Sequence, residues 1–445
     1  MHVLPQLRKL ERTWSRELVV VGVHSPKFFA ERDTESLRHA VARLSVGHPV
    51  VNDRDFQVWQ AYAVRAWPTL MFIDPLGKVI GRHEGEFPLA ALDGVIARMV
   101  AAFDARGLLD RRPLDVVLDA PPEAGPLRFP GKILVDAARD LLVVADSGHH
   151  RLVLAGLDGR VRRVIGSGEA GLADGPAGRA RFDQPQGLAL AGDSLYVADT
   201  ENHALRAVDL GSGAVATVAG TGEQLLGARV GGPALGTALS SPWDLAVLDG
   251  VLYVAMAGTH QLWAMPLGGD SIHPHTGSGR EALEDGPRRE ASLNQPSGLA
   301  TDGALLYVAD SEASAVRVVD PRPGGTVRTI VGEGLFEFGD EDGAGPAVRL
   351  QHPLGVAWHD GALLVADTYN HKIKRLDPAT AACRTFSGAG APGLADGPAA
   401  RARFAEPSGL AVARERLWVA DTNNHAVRVV DLGDGSVTTR PLAGL

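Results

Sequence analysis

The chain has 445 residues, 45% hydrophobic and 22% charged, with 44 Lys and Arg against 53 Asp and Glu for a formal net charge of −9. That composition suits ordinary packed cores in more than one domain and excludes disordered and fibrous classes. No apolar run reaches the ~18 residues that a membrane-spanning helix needs, the first residues do not have the pattern expected of a secretory leader, and a single cysteine, Cys383, rules out a disulfide framework.

The first 110 residues read as alternating strands and helices. Leu18–Val23 is a continuous apolar run, the pattern of a strand buried on both faces. Residues 34–46 carry Leu37, Ala40, Val41 and Leu44 at helical spacing, and 48–51 read as a short strand. A helix is predicted over 56–64, a strand over 69–73, its hairpin partner over 78–83 beyond the Pro75-Leu-Gly77 turn, and an amphipathic helix over 89–103. This order predicts an α/β domain over 1–106, followed by a linker at 107–128.

From residue 129 onward the pattern changes. A phrase built on Val-Ala-Asp recurs six times, beginning at 143, 196, 253, 307, 364 and 418, in steps of 53 to 57 residues. A fixed period of this size marks a repeat architecture. Within 404–441, short runs rich in Val, Leu, Thr and Trp are punctuated by Gly, Asp and Asn, giving four short strands per repeat. Six such units predict a six-bladed β-propeller over 129–445, whose closure protects its sheet edges. A second repeat lies between blades: residues 171–182 are nearly copied at 393–404, with looser versions at 284–293 and 341–350. Asp174 and Asp396 are expected to cap a short helical turn there, with Pro176 and Pro398 in its first turn. Phe182, Leu293, Leu350 and Phe404 are the predicted buried ends of these loops, each followed three residues on by a proline.

The Asp-[Ser/Thr]-x-Asn-His phrases resemble NHL repeats. The resemblance implies that Asp146, Asp199, Asp310, Asp367 and Asp421, with His150, His203, His260, His371 and His425, form a structural hydrogen-bond network. Blades 3 and 4 depart from the pattern at Met256 and Ser314 and are expected to lack the full network. The N-terminal order resembles a thioredoxin fold. Trp67-Pro68-Thr69 stands directly before a strand, Gly77 falls in the hairpin turn, and Gly85-Glu86 precede the last helix. By that resemblance Pro68 is cis and the three residues form a substrate- or partner-facing loop. The segment Met1–Leu10 reads as the middle of the family's first helix, with Pro5 at its kinking proline. The strand and Cys-x-x-Cys turn that precede that helix in the family are missing. The whole chain resembles NHL-repeat-containing thioredoxin-like proteins, and this resemblance implies that Met1 is internal to a longer natural chain carrying the missing strand and a cysteine pair, the alternative being a degenerate domain that lacks both.

Three functional readings follow. The favoured one for the chain as written is a non-catalytic interaction scaffold with a protein partner and no cofactor or metal. The second is a thiol-disulfide oxidoreductase whose cysteine pair lies upstream, because a thiolate at a helix N-terminus is what that chemistry needs. The third is a propeller lactonase or lyase, which needs ligands converging on the central channel; His273 and His275 are the one non-repeated pair there, read as a surface turn. The ring of Asp and His is read as blade packing, because a catalytic metal needs three or four ligands at one point. Residues 1–110 hold 14 basic and 13 acidic residues and the remainder 30 and 40, so the propeller is acidic and nucleic acid is not an expected partner. Cys383 is placed in an outer strand of blade 5 as an inert residue, and the absence of disulfides suits a reducing cytoplasm. Met256, Trp243 and Trp263 mark blade 3 as irregular, through relaxed packing or a partner surface.

Overall fold

The computed structural model describes residues 3–85, 89–112 and 125–445, which separate into a unit over 1–123 and a unit over 124–445. The division falls inside the segment expected as linker. Its first residues lie with the N-terminal unit, where Arg111 pairs with Glu17 at 2.9 Å, and Leu127 is already buried in the second.

The N-terminal unit runs α1 (Val3–Thr13), β1 (Gly22–His24), α2 (Thr34–Arg43), β2 (Val50–Asn52), α3 (Gln57–Ala61), β3 (Thr69–Ile73), β4 (Val79–Glu84) and α4 (Leu89–Asp104). Each boundary has a local cause. Asp33 caps α2 by accepting the Ser36 N–H at 2.8 Å. The Asp53 carboxylate accepts the Val58 and Trp59 N–H groups at 2.9 Å and so starts α3. Asp74 accepts the Leu76 and Lys78 N–H groups in the β3–β4 turn, where Gly77 takes φ 78°. Leu10, Leu92 and Ile96 form the core, with Leu18, Leu70 and Phe72 packed on it.

The strand over Leu18–Val23 departs from expectation. Only Gly22–His24 is extended and paired, and Val19, Val21 and Val23 are exposed. The cause is the sheet: β1 pairs in parallel with β2, β3 pairs antiparallel with β4, and among the described residues the two pairs are not joined. The predicted Glu86 position lies outside the described residues.

The second unit is six antiparallel sheets in chain order, spanning 133–165, 185–219, 242–276, 296–331, 355–387 and 407–440, here blades 1 to 6. Blades 3, 4 and 5 gain a two-residue outermost strand from the loop before them. Cores form between neighbouring sheets: Leu152 and Leu154 of blade 1 pack with Phe182, Leu195 and Val197 of blade 2, and Ile133 and Leu142 with Trp418 and Val427 close the ring. Phe182, Leu293, Leu350 and Phe404 are all buried in these seams. Every blade is contiguous in sequence, and among the described residues no exchanged strand closes the ring; side chains and a parallel bridge from Arg160 to Ala443 do so.

Candidate functional site: the repeat network and the propeller axis

The second strand of each blade ends in a tight turn, 3-10 in every blade but the second, closed by a residue in the left-handed region. In five blades that residue is histidine, with φ between 48° and 56°. Its Nδ1 accepts a backbone N–H from the start of the next blade: Gln184 to His150 at 3.2 Å, Ser241 to His203 at 3.1 Å, Gln295 to His260 at 3.3 Å, Glu406 to His371 at 3.1 Å. Phe129 donates to His425 at 3.0 Å, which fastens blade 6 to blade 1. An accepting Nδ1 requires the neutral tautomer protonated at Nε2. Blade 4 corrects the expectation of a defective network, because Ser314 Oγ accepts the His352 N–H at 3.2 Å and preserves the link. A second staple comes from the hydroxyl after the Asp. Ser147, Thr200, Ser311, Thr368 and Thr422 donate to the carbonyls of Pro185, Pro242, Pro353, Pro407 and Pro130 at 2.5 to 2.8 Å.

The Asp side chains work inside their own blades. Oδ1 of Asp146, Asp199, Asp310, Asp367 and Asp421 accepts the N–H of Arg128, Asp183, Asn294, Gln351 and Ala405 at 2.6 to 2.7 Å. Oδ2 faces a cation seven residues on. Arg206, Arg317 and Arg428 donate to Asp199, Asp310 and Asp421 at 2.7 to 2.9 Å, with all six side chains at 0% exposure. The other guanidinium arm reaches Asp174, Asp285 and Asp396 at 2.8 Å. Asp174 and Asp396 are predicted as helix caps; instead they, and Asp285 with them, accept from the N–H and hydroxyl of Thr217, Thr439 and Thr329, because the strand edge and the guanidinium both present donors there. In blade 5 Lys374 takes the arginine position and pairs with Asp340 and Asp342 at 2.7 Å. In blade 1 Arg151 pairs with Asp146 at 2.8 Å.

Burial pushes the Asp199 and Asp421 carboxyls up to about 6 against the pull of their cationic and amide donors, and Asp367 up to about 7. Burial also opposes ionisation of Asp174, Asp285 and Asp396, but the threonine and arginine donors win and hold all three below the usual carboxylate range.

Blade 3 replaces both charges. Met256 stands for the Asp and Trp263 for the Arg, and both are fully buried. They are therefore core, while Trp243 is half-buried. The indole N–H is satisfied by Thr259 and Gln261 at 3.2 Å. His275 is also internal: Nε2 lies 3.1 Å from the Pro321 carbonyl of blade 4 and Nδ1 2.8 Å from the Thr276 hydroxyl. Burial, and the charge of Arg288, bring it down to about 4, so it is neutral. His273 is exposed, and among the described residues no three His, Cys, Asp or Glu are grouped to hold a metal ion. Cys383 lies buried in the outermost long strand of blade 5, and burial pushes its thiol up to about 12.

The axis carries what the sequence reading missed. Each innermost strand begins Pro-x-Gly-apolar in blades 2, 4, 5 and 6, at Gly187, Gly298, Gly355 and Gly409. The blades meet too closely there for side chains: a Cβ on Gly355 would lie 1.9 Å from the Ser408 carbonyl, and one on Gly409 2.6 Å from Lys132 Cα. The two blades without glycine have Lys132 and Asp244, buried and paired at 3.1 Å. Lys132 Nζ also donates to Ser297 O at 2.8 Å and to Leu354 O.

In the N-terminal unit, the Trp67–Pro68 peptide is cis and Pro68 O accepts the Gly85 N–H at 2.8 Å. Thr69 Oγ1 donates to Ala66 O at 2.7 Å. Trp67 donates to Ser25 O at 2.8 Å, lies 4.5 Å between ring centroids from Trp59, and remains 46% exposed.

Comparison with known proteins places the repeats. Residues 182–207 and 404–430 match the NHL repeat family. The chain is 41% identical over its whole length to Protein SUPPRESSOR OF QUENCHING 1, chloroplastic, of Arabidopsis thaliana, and spans 44% of that protein. It is 39% and 38% identical, over 99% of its length, to NHL repeat-containing protein 2 of Bos taurus and of Homo sapiens, and spans 66% of each. The chain thus carries NHL repeats on a six-bladed propeller and is homologous to NHL repeat-containing protein 2. Among the described residues no helix is long and apolar enough to cross a membrane.

Proposed function

We propose that this chain is an interaction scaffold for a protein partner, joining a thioredoxin-like module to an NHL propeller and working in a reducing compartment such as the cytoplasm. The observation that carries this reading is that the repeated side chains, the most chemically capable groups of the propeller, are engaged in structure: the His in fastening one blade to the next and the Asp in bonds within their own blades. The axis, where a propeller lactonase or lyase would assemble its ligands, is filled by a salt bridge instead. Thiol chemistry has no support in the described residues, since the one cysteine is buried with a raised pKa. What remains accessible is apolar surface suited to a partner. Trp67 is half-exposed beside the Trp59 and Phe56 rings, and Leu172, Phe336 and Leu394 are exposed on the loops between blades. The alternation of strands and helices before residue 107, with Trp67-Pro68-Thr69 leading into β3, supports the thioredoxin-like assignment.

In-cell cross-linking of the tagged chain, followed by mass spectrometry, tests the scaffold reading. The expected result is a defined protein cross-linked at a reproducible stoichiometry and lost in Trp67→Ser or in Phe336→Ser. No cross-linked partner, or turnover of a small substrate by the purified chain, would contradict it.

A further inference from the structure

We propose that the Lys132–Asp244 pair across the propeller axis is a latch that replaces the side-chain staple missing from the boundary between blades 3 and 4. Five of the six boundaries carry two staples: the His or Ser acceptor for the next blade's N–H, and the Ser or Thr hydroxyl on the next blade's proline carbonyl. At the boundary from blade 3 to blade 4 the hydroxyl residue is Ala257, so only His260 remains, at the longest distance of the set, 3.3 Å. Blade 3 also lacks the internal Asp and Arg pair that steadies the same turn in blades 2, 4 and 6.

The axis supplies bonds to that same boundary. Asp244 of blade 3 accepts the Leu299 N–H of blade 4 at 3.0 Å through Oδ2 and the Leu245 N–H at 2.9 Å through Oδ1. Lys132 of blade 1 donates to Ser297 O of blade 4 and Leu354 O of blade 5, and its third contact is Asp244. An ammonium has three donors, and all three are used. Neither residue is tolerable alone, since removing one leaves a buried charge without its counterion. The close approach of the glycine ring leaves no room for side chains in the other four blades. The latch therefore sits at the two positions where the ring departs from glycine, and it spans the one boundary with a missing hydroxyl.

The test is hydrogen exchange on the full chain, read boundary by boundary. Lys132→Gly with Asp244→Gly returns both positions to the repeat's own residue and removes both charges together. Exchange at residues 257–261 and 296–299 should rise about tenfold relative to residues 200–203 and 239–241, the boundary between blades 2 and 3 away from the substituted position. Adding Ala257→Ser should then recover about threefold of the lost protection, while changing wild type by less than about twofold. An even rise at all six boundaries, or an equal effect of Ala257→Ser in both backgrounds, would overturn the latch. Should the glycine pair fail to fold, Asp244→Asn serves, because it keeps the acceptor for Leu299 and loses only the charge. Exchange concentrated at the boundary of blades 3 and 4 then supports the latch, and exchange spread evenly contradicts it.

Discussion

Blades 3 and 6 share the same four long strands but have opposite chemistry at their centre. In blade 6 Asp421 and Arg428 meet at 2.7 Å, with Asn424 donating to the same carboxylate at 2.7 Å. In blade 3 the same seven-residue spacing holds Met256 and Trp263. The fold accepts either pair because both fill the space: in blade 3 the Trp263 indole N–H finds acceptors, and in blade 6 both terminal nitrogens of Arg428 find carboxylates while its Nε stays buried without a partner. It follows that the charged pairs of the other blades serve to complete hydrogen bonding around the turn more than to supply net attraction, since a buried ion pair loses in desolvation much of what it gains.

The largest effect should come from splitting a pair. Arg428→Ala leaves Asp421 buried and uncompensated, and should destabilise the propeller by about 3–5 kcal/mol in urea unfolding. Replacing both partners by the blade 3 residues, Asp421→Met with Arg428→Trp, should cost far less, within about 2 kcal/mol, if the comparison between blades holds. A single staple is worth less. His203→Ala removes the acceptor for the Ser241 N–H and should cost about 1–3 kcal/mol by the same measurement. Smaller again is the pH effect of the outer carboxylates. Asp174, Asp285 and Asp396 have folded-state pKa values below the ordinary one, so the stability they contribute is fully present above the unfolded value of about 4 and is lost as pH falls through the folded value. The urea midpoint should therefore drop below pH 4, and drop less in the triple Asp→Asn variant. The smallest effect concerns Cys383, which should resist alkylation by iodoacetamide in the native chain at pH 8 and react once unfolded.

Much of the propeller was legible because repetition turns a weak local signal into a strong one. Six copies of one phrase, five reading Val-Ala-Asp and one Val-Ala-Met, announce the blades, and the buried loop ends Phe182 and Phe404 follow from the second repeat. The partners of the Asp residues were present at constant spacing, at Arg206, Arg317, Lys374 and Arg428, but a lone arginine in a strand reads as an exposed alternating position. The axial pair was hidden for a related reason. Pro185, Pro296, Pro353 and Pro407 are plain in the sequence, yet the glycine two residues after each explains itself only where six strands converge, and only there do Lys132 and Asp244 stand out. In the N-terminal unit the helices and the β3–β4 hairpin were readable from periodicity and turn chemistry. The exposure of Val19, Val21 and Val23 was not, because burial of a strand depends on its neighbour rather than on its own residues.

The most direct measurement is a double-mutant cycle in blade 3, with equilibrium unfolding of Met256→Asp, Trp263→Arg and the two combined. Each single change puts an unpaired charge in the core and should destabilise the chain strongly, while the combination rebuilds the pair seen in blades 2, 4 and 6 and should recover most of the loss. A combined loss equal to the sum of the two singles would show that the Asp and Arg positions act independently, and would contradict a paired, structural role for the repeated network.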